Sequence, residues 1–217
     1  MAGLFVTLEG PDGSGKTTQA RLLAEWLIAQ GYPLLATREP GGTRIGEAIR
    51  DVLHDCAHVE MASQAEILLY SASRAQLVAE VIRPALDAGK IVLCDRYFDS
   101  TYAYQGYGRG LPLEALRAIT AFAIQGLTPD LTLYLDVSPE VGLQRRARSG
   151  EALNRLDREA VAFHERVRAG YLELASAEPD RWRVIDANRP AEDVQQALRA
   201  LLDAILTTNP HESSRIL

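Results

Sequence analysis

The residues best suited to chemistry lie near the start of the chain, in the stretch GPDGSGKTT at positions 10–18. Gly10, Gly15, Lys16 and Thr17 fit the pattern G-x-x-x-x-G-K-[ST], in which glycines turn backbone N–H groups onto phosphate oxygens. The lysine of such a loop reaches the outer phosphates, and the threonine hydroxyl is placed to bind Mg²⁺. The pattern predicts a site for a nucleoside triphosphate.

The flanking sequence favours this interpretation over a plain glycine turn. An apolar run at 4–9 precedes the stretch and a helical pattern follows it, which is the order that a phosphate loop requires. The chain has two lysines, Lys16 and Lys90, and one of them stands where a compact ammonium suits a phosphate cluster. The residues predicted to bind the triphosphate are Gly10, Pro11, Asp12, Gly13, Ser14, Gly15, Lys16, Thr17 and Thr18.

A second polar stretch, DRYFDSTYAYQGYGRG, occupies positions 95–110. Asp95 ends an apolar run and is predicted to bind Mg²⁺ together with Thr17. Arg96 is a fixed cation at the same place, suited to the charge that develops in phosphoryl transfer. The alternative for this Asp-Arg pair is a surface ion pair, which the buried strand before it disfavours. The hydroxyl, amide and aromatic groups that follow are predicted to form a loop.

Five apolar runs alternate with helical patterns, which indicates an α/β fold with a parallel sheet and helices on both faces. The strands are predicted at 4–9, 34–39, 90–95, 131–136 and 181–186. The helices are predicted at 15–30, 43–54, 63–88, 112–125, 139–175 and 190–207. Each of these strands ends in an acidic residue, at the edge where such sheets bind ligands.

Length and composition indicate a single domain. The 217 residues are 47% hydrophobic and 24% charged, which is enough for one complete core. The domain is predicted over 1–208, with a flexible tail at 209–217.

The net charge of -6 argues against a nucleic-acid polymer as partner, and no apolar stretch is long enough to span a bilayer. Cys56 and Cys94 are predicted to be buried thiols of a reducing compartment, so a cytoplasmic protein is expected.

Two further patterns have simpler explanations than a metal site or a catalytic residue. His54 and His58 have the helical spacing of a metal pair, but no third ligand is apparent, so a solvated helix end is favoured. Asp136 ends the run LTLYLD and is predicted to end a strand or cap the next helix.

Taken together, the motifs resemble those of the bacterial thymidylate kinases. The stretch REPGGT followed by DR and ST-AYQG is specific to that family, whereas the phosphate loop is shared by many kinases. The resemblance implies a P-loop kinase fold with a five-stranded parallel sheet and a mobile lid, and in-line transfer of the γ-phosphoryl group of ATP to dTMP with Mg²⁺. The matching pieces are EGPDGSGKTT (9–18), TREPGGT (37–43), ASRAQL (72–77), DRYFDSTYAYQGYGRG (95–110), PDLTLYLDVSPEVGLQR (129–145) and GYLELA (170–175).

The resemblance also implies a thymine pocket. Tyr70 stands where the family usually has phenylalanine, and Arg74, one helical turn later, would donate to thymine O4. Thr101 and Gln105 would meet the Watson–Crick edge, and Tyr104 would crowd the 2′ position. The residues implied to bind dTMP are Asp12, Glu39, Pro40, Arg50, Tyr70, Arg74, Arg96, Ser100, Thr101, Tyr104 and Gln105. Among them, Arg50 and Arg96 would hold the monophosphate, and Pro40 would follow a cis peptide bond.

The catalytic cations are the next implication of the resemblance. Some members carry an arginine inside the phosphate loop, but the corresponding PDGS at 11–14 has no basic residue. The segment 143–159 is rich in arginine and is predicted to be a mobile lid, with a solvated basic helix as the alternative. The residues implied to be catalytic are Lys16, Arg96, Asp12, Arg155, Arg145 and Arg148, with Arg155 the first choice in the lid.

Two other functions remain as alternatives, and a homodimer is expected. A deoxynucleoside kinase of similar fold would not need Arg50 and Arg96, because its acceptor carries no phosphate. A P-loop ATPase or binding module would lack an acceptor pocket. The family is homodimeric, and the apolar residues of 63–88 cover most of that predicted helix, so it is expected to contact a second copy. The alternative is a helix enclosed in the core.

Overall fold

Five parallel strands form one sheet in the computed structural model, which describes residues 3–148, 150, 156 and 159–208. The strands are β1 (Leu4–Glu9), β2 (Leu34–Arg38), β3 (Ile91–Asp95), β4 (Leu131–Asp136) and β5 (Trp182–Asp186). Their order across the sheet is β2-β3-β1-β4-β5. The central strand β1 lies beside β3 in a register that pairs Leu8 with Asp95, so the carboxyl ends of these two strands meet at one edge.

Helices connect the strands, as parallel pairing requires. They are α1 (Lys16–Ala29), α2 (Arg44–His54), α3 (Ser63–Leu77), α4 (Arg83–Asp87), α5 (Phe98–Thr101), α6 (Leu113–Ile124), α7 (Pro139–Arg148), α8 (Val161–Ala177) and α9 (Ala191–Thr208). Two π-helical segments, Val78–Ile82 and Tyr102–Gly108, continue α3 and α5. The predicted five-stranded α/β architecture is confirmed.

The strands are buried because helices cover both faces of the sheet. On one face, Leu23 of α1 and Leu198 of α9 belong to the same apolar cluster as Leu8 of β1. On the other face, Leu77 at the end of α3 packs in a cluster with Phe5 of β1. Alternate residues of β1 thus pack against the helices on opposite faces of the sheet, which is why the sequence of β1 is almost continuously apolar.

Two predicted elements are wrong. The helix predicted over 139–175 is two helices, since α7 ends at Arg148 and α8 begins at Val161. Gly150, with φ +73, adopts the left-handed conformation that commonly follows a helix end. The loop predicted after Arg96 is instead α5 and a π-helix. Its glycines allow close packing, because a Cβ on Gly108 would lie 2.6 Å from Phe163 of α8.

Other predictions concern the lid, the tail and the cysteines. Residues 143–148 of the predicted lid are the last part of α7, whereas Arg155 and the tail at 209–217 lie outside the described residues. Cys94 is buried as predicted, but Cys56 is half-buried, so the prediction is wrong for that thiol. None of the helices that the structure describes is long and apolar enough to cross a membrane.

Candidate functional site

A cleft of about 750 Å³ opens at the edge of the sheet where β1 and β3 end. It joins the predicted phosphate loop to the predicted acceptor residues. Its lining includes Asp12, Gly13, Ser14, Gly15, Lys16, Thr17, Thr18, Glu39, Pro40, Arg50, Tyr70, Arg74, Asp95, Arg96, Ser100, Thr101, Tyr104 and Gln105. Gly10 and Pro11 form the buried start of the phosphate loop.

The loop between β1 and α1 depends on glycine. Gly13 has φ +76, and a Cβ there would collide with the carbonyl oxygen of Gly142 in α7. Gly15 has φ +91 and lies directly before α1, with nothing within 4 Å of where its Cβ would be. The positive end of the α1 dipole and its first N–H groups therefore meet an open approach, which is a suitable site for an anion.

Lys16 is buried at the start of α1. Its Nζ donates to the carbonyl oxygen of Pro11 at 2.8 Å. Burial, and then the nearby charge of Arg96, lower the pKa of Lys16 to about 8, although Asp12 acts in the opposite direction. A phosphate group placed here would supply the negative charge that this desolvated ammonium lacks.

Thr17 and Asp95 bring two oxygen ligands together. The hydroxyl of Thr17 donates to Oδ2 of Asp95 at 2.8 Å, across the edge where β1 and β3 end. A hydroxyl and a carboxylate beside a phosphate loop are the hard oxygen donors that Mg²⁺ prefers. The oxygen ligands of this pair therefore fit the predicted magnesium site.

Arg96 lies between the phosphate loop and the acceptor side of the cleft. Its guanidinium donates to Oδ1 of Asp12 at 2.6 Å and to the hydroxyl of Tyr104 at 3.1 Å. It also donates to the hydroxyls of Ser100 and Tyr171, at 3.1 and 3.2 Å. The backbone of Arg96 has φ +71, which is uncommon for a residue with a side chain. Four side chains, from the phosphate loop, the segment after β3 and α8, thus fix one cation.

Asp12 is the anionic partner in this arrangement. Burial alone would raise the pKa of Asp12, but the charges of Arg96 and Lys16 lower it well below the usual range. The hydroxyl of Tyr104 also donates to Oδ2 of Asp12 at 2.8 Å. Asp12 is therefore held in its carboxylate form by these two cations.

Arg74, on the acceptor side, is only 1% exposed. Its Nε and Nη2 both lie 2.9 Å from Oε2 of Glu39, and Nη2 donates to the hydroxyl of Thr101 at 3.0 Å. Burial opposes its charge, but Glu39 raises the pKa of Arg74, so the guanidinium stays protonated. Its Nη1 has no hydrogen-bond partner within the described part of the chain. Arg74 therefore offers one buried donor to whatever occupies the cleft.

The turn after β2 forms the opposite wall. The Glu39–Pro40 peptide bond is cis, as predicted. Nη1 of Arg50 donates to the carbonyl oxygen of Pro40 at 2.9 Å, which holds this arginine at the cleft. Tyr70 lies one turn before Arg74 on α3 and is half-buried. The turn and α3 thus bring an arginine and an aromatic ring to the same pocket.

The described lid arginines differ in position. Arg145 lines the cleft and donates to the carbonyl oxygens of Ala187 and Asn188, at 2.8 and 3.4 Å. Arg148 is exposed at the end of α7 and is not among the lining residues of the cleft. Arg155, the first choice, lies outside the described residues.

The structure locates the residues of the two patterns with simpler explanations. His54 ends α2 and lines the cleft, and among the described residues no cluster of three His, Cys, Asp or Glu side chains could hold a metal ion. Asp136 ends β4, and its two oxygens accept from Nε and Nη2 of Arg168, each at 2.8 Å. It is an ion-pair partner of α8 and not part of the cleft lining.

Sequence reasoning missed two residues that hold the site together. Tyr171 of α8 donates to Oε2 of Glu9 at 2.8 Å, and Ser100 donates to the same oxygen at 2.6 Å. Burial, with the charge of Asp99, raises the pKa of Glu9 to about 7. The signal for Glu9 was its place at the end of a buried strand, next to the phosphate loop. No local signal exists for Tyr171.

A parallel sheet whose central strand leads into a phosphate loop, beside a second pocket lined by arginines and hydroxyls, defines a P-loop kinase. The family model described as thymidylate kinase matches residues 8–198. The chain belongs to the thymidylate kinase family.

Similar proteins agree over almost the full length. A thymidylate kinase of Roseiflexus sp. (strain RS-1) is 54% identical over an alignment of 216 positions that covers 94% of this chain and 96% of that protein. A thymidylate kinase of Deinococcus radiodurans is 56% identical over 198 residues, 91% and 95% of the two chains. The crystal structure of thymidylate kinase from Ehrlichia chaffeensis superimposes with a TM-score of 0.75 at 34% identity, covering 93% of this chain and 99% of that one.

Proposed function

We propose that this chain transfers the γ-phosphoryl group of ATP to dTMP and yields dTDP. The observation that carries the proposal is the contact between Arg96 and Asp12, which joins the phosphate loop to the acceptor pocket within one cleft. Phosphoryl transfer depends mainly on positioning two anionic reactants and on offsetting their charge. The names of the relatives, all thymidylate kinases, support this substrate.

On the donor side, the phosphate loop is proposed to hold ATP. Lys16 would contact the outer phosphates, and Thr17 and Asp95 would hold Mg²⁺. When bound, Mg²⁺ supplies further positive charge beside the transferred group. Lys16 and Arg96 then offset the negative charge that spreads over the phosphoryl oxygens, from fixed positions that need no rearrangement.

On the acceptor side, the residues that line the cleft include Arg50, Arg74 and Arg96. Arg50 and Arg96 are proposed to hold the monophosphate. Arg74, with its unpaired Nη1, is proposed to donate to thymine O4. The remaining residues proposed to bind dTMP are Asp12, Glu39, Pro40, Tyr70, Ser100, Thr101, Tyr104 and Gln105.

The test is release of ADP with dTMP, dUMP, dCMP, dGMP and thymidine measured in parallel. We expect dTMP to be the preferred acceptor, because the arginines beside the cleft suit an acceptor that carries a phosphate. A response to thymidine without one to dTMP would identify a deoxynucleoside kinase. ADP release that is the same with and without any acceptor would identify an ATPase.

Arg74 gives a first prediction about acceptor choice. Arg74→Ala would leave Glu39 buried and unpaired, a loss of about 3–5 kcal/mol of stability, so Arg74→Lys is the better variant. Lysine can pair with Glu39 but lacks the second arm of the guanidinium. We expect KM for dTMP to rise and the preference for dTMP over dCMP to fall by about 1–3 kcal/mol. The measurement is kcat/KM for both acceptors, with the exposed Arg21→Lys as control. An unchanged preference would show that thymine is recognised elsewhere.

The lid gives a second prediction. Since the phosphate loop carries no arginine, a lid arginine is proposed to offset charge on the transferred group, with Arg155 first, then Arg145 and Arg148. Arg155→Ala is expected to lower kcat about 10²-fold with little change in KM for dTMP, as for a contact made in the transition state. Single-turnover kinetics on all three alanine variants is the measurement. Near-normal kcat in all three would exclude the lid from catalysis.

A homodimer is also proposed, formed through α3 and the neighbouring α6. Ile67 and Leu77 of α3 are buried, but Leu68 is 57% exposed, and Phe122 of α6 is 87% exposed. We expect a dimer mass at micromolar concentration by light scattering, and a shift to monomer in Phe122→Asp. The control is Ile28→Asp, at an exposed position of α1 on the opposite face of the sheet. A monomer mass for the unchanged chain would contradict the proposal.

We also propose a single domain over 1–208 that works in the cytoplasm with ATP and dTMP as its partners. Two free thiols are typical of reducing compartments.

A further inference from the structure

A buried carboxylate behind the acceptor pocket has no role in the functions proposed above. Glu66 of α3 is fully enclosed. Its Oε1 accepts from Nε2 of Gln105 at 2.8 Å. Arg109 donates to both of its oxygens, from Nε to Oε1 at 2.8 Å and from Nη2 to Oε2 at 3.1 Å. The guanidinium fork supplies the opposite charge that a carboxylate in this position needs.

Glu66 determines which way the amide of Gln105 faces. A carboxylate beside an arginine accepts hydrogen bonds and has none to donate, so the amide group next to it must be the NH₂. A reversed amide would set its carbonyl oxygen against Oε1 of Glu66, two acceptors in contact without water. Gln105 is itself only 2% exposed and lines the cleft. Its carbonyl oxygen is therefore the polar atom left to face a ligand.

This orientation gives the pocket a pattern of one donor and one acceptor. The donor is Nη1 of Arg74, and the acceptor is Oε1 of Gln105. Thymine and uracil present the complementary pattern, a carbonyl oxygen next to a ring N–H. Cytosine presents the reverse, an amino group next to a ring nitrogen that only accepts.

We propose that Glu66 is a positioning residue for base selection, which holds the Gln105 amide so that the pocket accepts a base with a ring N–H and rejects cytosine. This rests on the proposed function, because it requires a nucleotide acceptor in the cleft. Arg109 belongs to the same arrangement. It also donates to Glu159 at 3.0 Å, so it keeps a carboxylate partner when Glu66 is replaced.

The first experiment replaces Glu66 by an apolar side chain of similar length. In Glu66→Met the amide of Gln105 is free to rotate, so the ratio of kcat/KM for dTMP to that for dCMP is expected to fall at least about tenfold. The ratio of dTMP to dUMP is expected to stay constant, because uracil has the same ring N–H. Both ratios are taken on one preparation and do not depend on the fraction that is folded.

Two further variants keep the size of the side chain. In Glu66→Gln either orientation of the new amide sets its NH₂ against one donor of the Arg109 fork, so the fork no longer fixes an oxygen toward Gln105, and the dTMP to dCMP ratio is expected to fall. In Glu66→Gln with Arg109→Met the new amide is free to turn either way, and the ratio is expected to fall as in Glu66→Met. This pair decides the question if Glu66→Met does not fold.

A double-mutant cycle with Gln105→Met separates positioning from general damage. Gln105→Met alone is expected to lower the ratio, and the effect of replacing Glu66 on the ratio is expected to vanish in that background. Glu80→Met is the matched control, since Glu80 accepts from Gln76 at 2.7 Å in an exposed pair of the same chemistry.

Several results would overturn the role of Glu66. One is an unchanged dTMP to dCMP ratio in Gln105→Met. Another is an equal loss of kcat/KM for dTMP and dCMP in the variants that free the Gln105 amide. A third is that replacing Glu66 lowers the ratio equally whether or not Gln105 is present. An unmodified chain that does not prefer dTMP would instead overturn the proposed function.

Discussion

Replacing Lys16 with alanine is expected to lower kcat at least about 10³-fold while leaving the protein folded. Lys16 is the ammonium of the phosphate loop, and removing one preorganised group that offsets transition-state charge costs about 10²–10³-fold by itself. Here the loss is expected at the upper end, because Lys16 is proposed to contact the outer phosphates, where charge develops in the transition state. The fold should survive, since burial already disfavours the charge of Lys16, and its Nζ donates to groups of the same loop, the carbonyl oxygen of Pro11 at 2.8 Å and the hydroxyl of Ser14 at 3.4 Å.

Steady-state ADP release with saturating dTMP measures the loss, and thermal unfolding tests the fold. Lys90→Ala is the natural control, since Lys90 is the other lysine of the chain and lies at the opposite end of β3. Activity above about a tenth of the unmodified level in Lys16→Ala would contradict the interpretation of the loop.

Replacing Arg96 is expected to have an effect of similar size. In Arg96→Lys the charge remains, but a single ammonium cannot reach Asp12, Ser100, Tyr104 and Tyr171 together. The monophosphate of the acceptor and the transferred group would both lose a fixed partner, so kcat/KM for dTMP should fall about 10³-fold. Asp12 would also lose the main cause of its low pKa.

The comparison with Arg96→Gln separates charge from geometry. If position matters as much as charge, lysine and glutamine should be similarly poor. Arg96→Gln also leaves the carboxylate of Asp12 without its guanidinium, so its thermal midpoint is expected to fall more than that of Arg96→Lys. Arg21→Lys, in an exposed pair with Glu25, is the control for a change of the same chemistry. A lysine variant that keeps more than a tenth of kcat/KM would show that Arg96 acts as a simple charge.

The sheet could be predicted from sequence because each strand is a short apolar run bounded by glycine, proline or acidic residues. Every strand begins and ends within one residue of its predicted position. The helix boundary near Arg148 could not be predicted, because helical patterns continue on both sides of a short polar segment. The π-helix at Tyr102–Gly108 could not be predicted for another reason. Its glycines suggest a loop locally, whereas their function in the fold is close contact with α8.

The candidate site likewise contains residues that the sequence predicts and contacts that it does not. Lys16 and Thr17 follow from a motif whose spacing is local, and Asp95 from the end of a strand. Arg74 could be proposed from the resemblance, but its pairing with Glu39 could not, since 35 residues separate them. The contact of Glu66 with Gln105 across 39 residues is equally hidden, because neither residue type is unusual where it stands.

The hydrogen bond from Tyr171 to Glu9 joins residues that are 162 positions apart in the chain. During synthesis the phosphate loop and the arginine beside it leave the ribosome long before α8 does. Contacts over such separations form late, because the intervening chain must first be ordered. The cleft is therefore completed only after α8 has been translated. A polypeptide cut short before α8 would carry the phosphate loop without the hydroxyl that helps to fix Arg96.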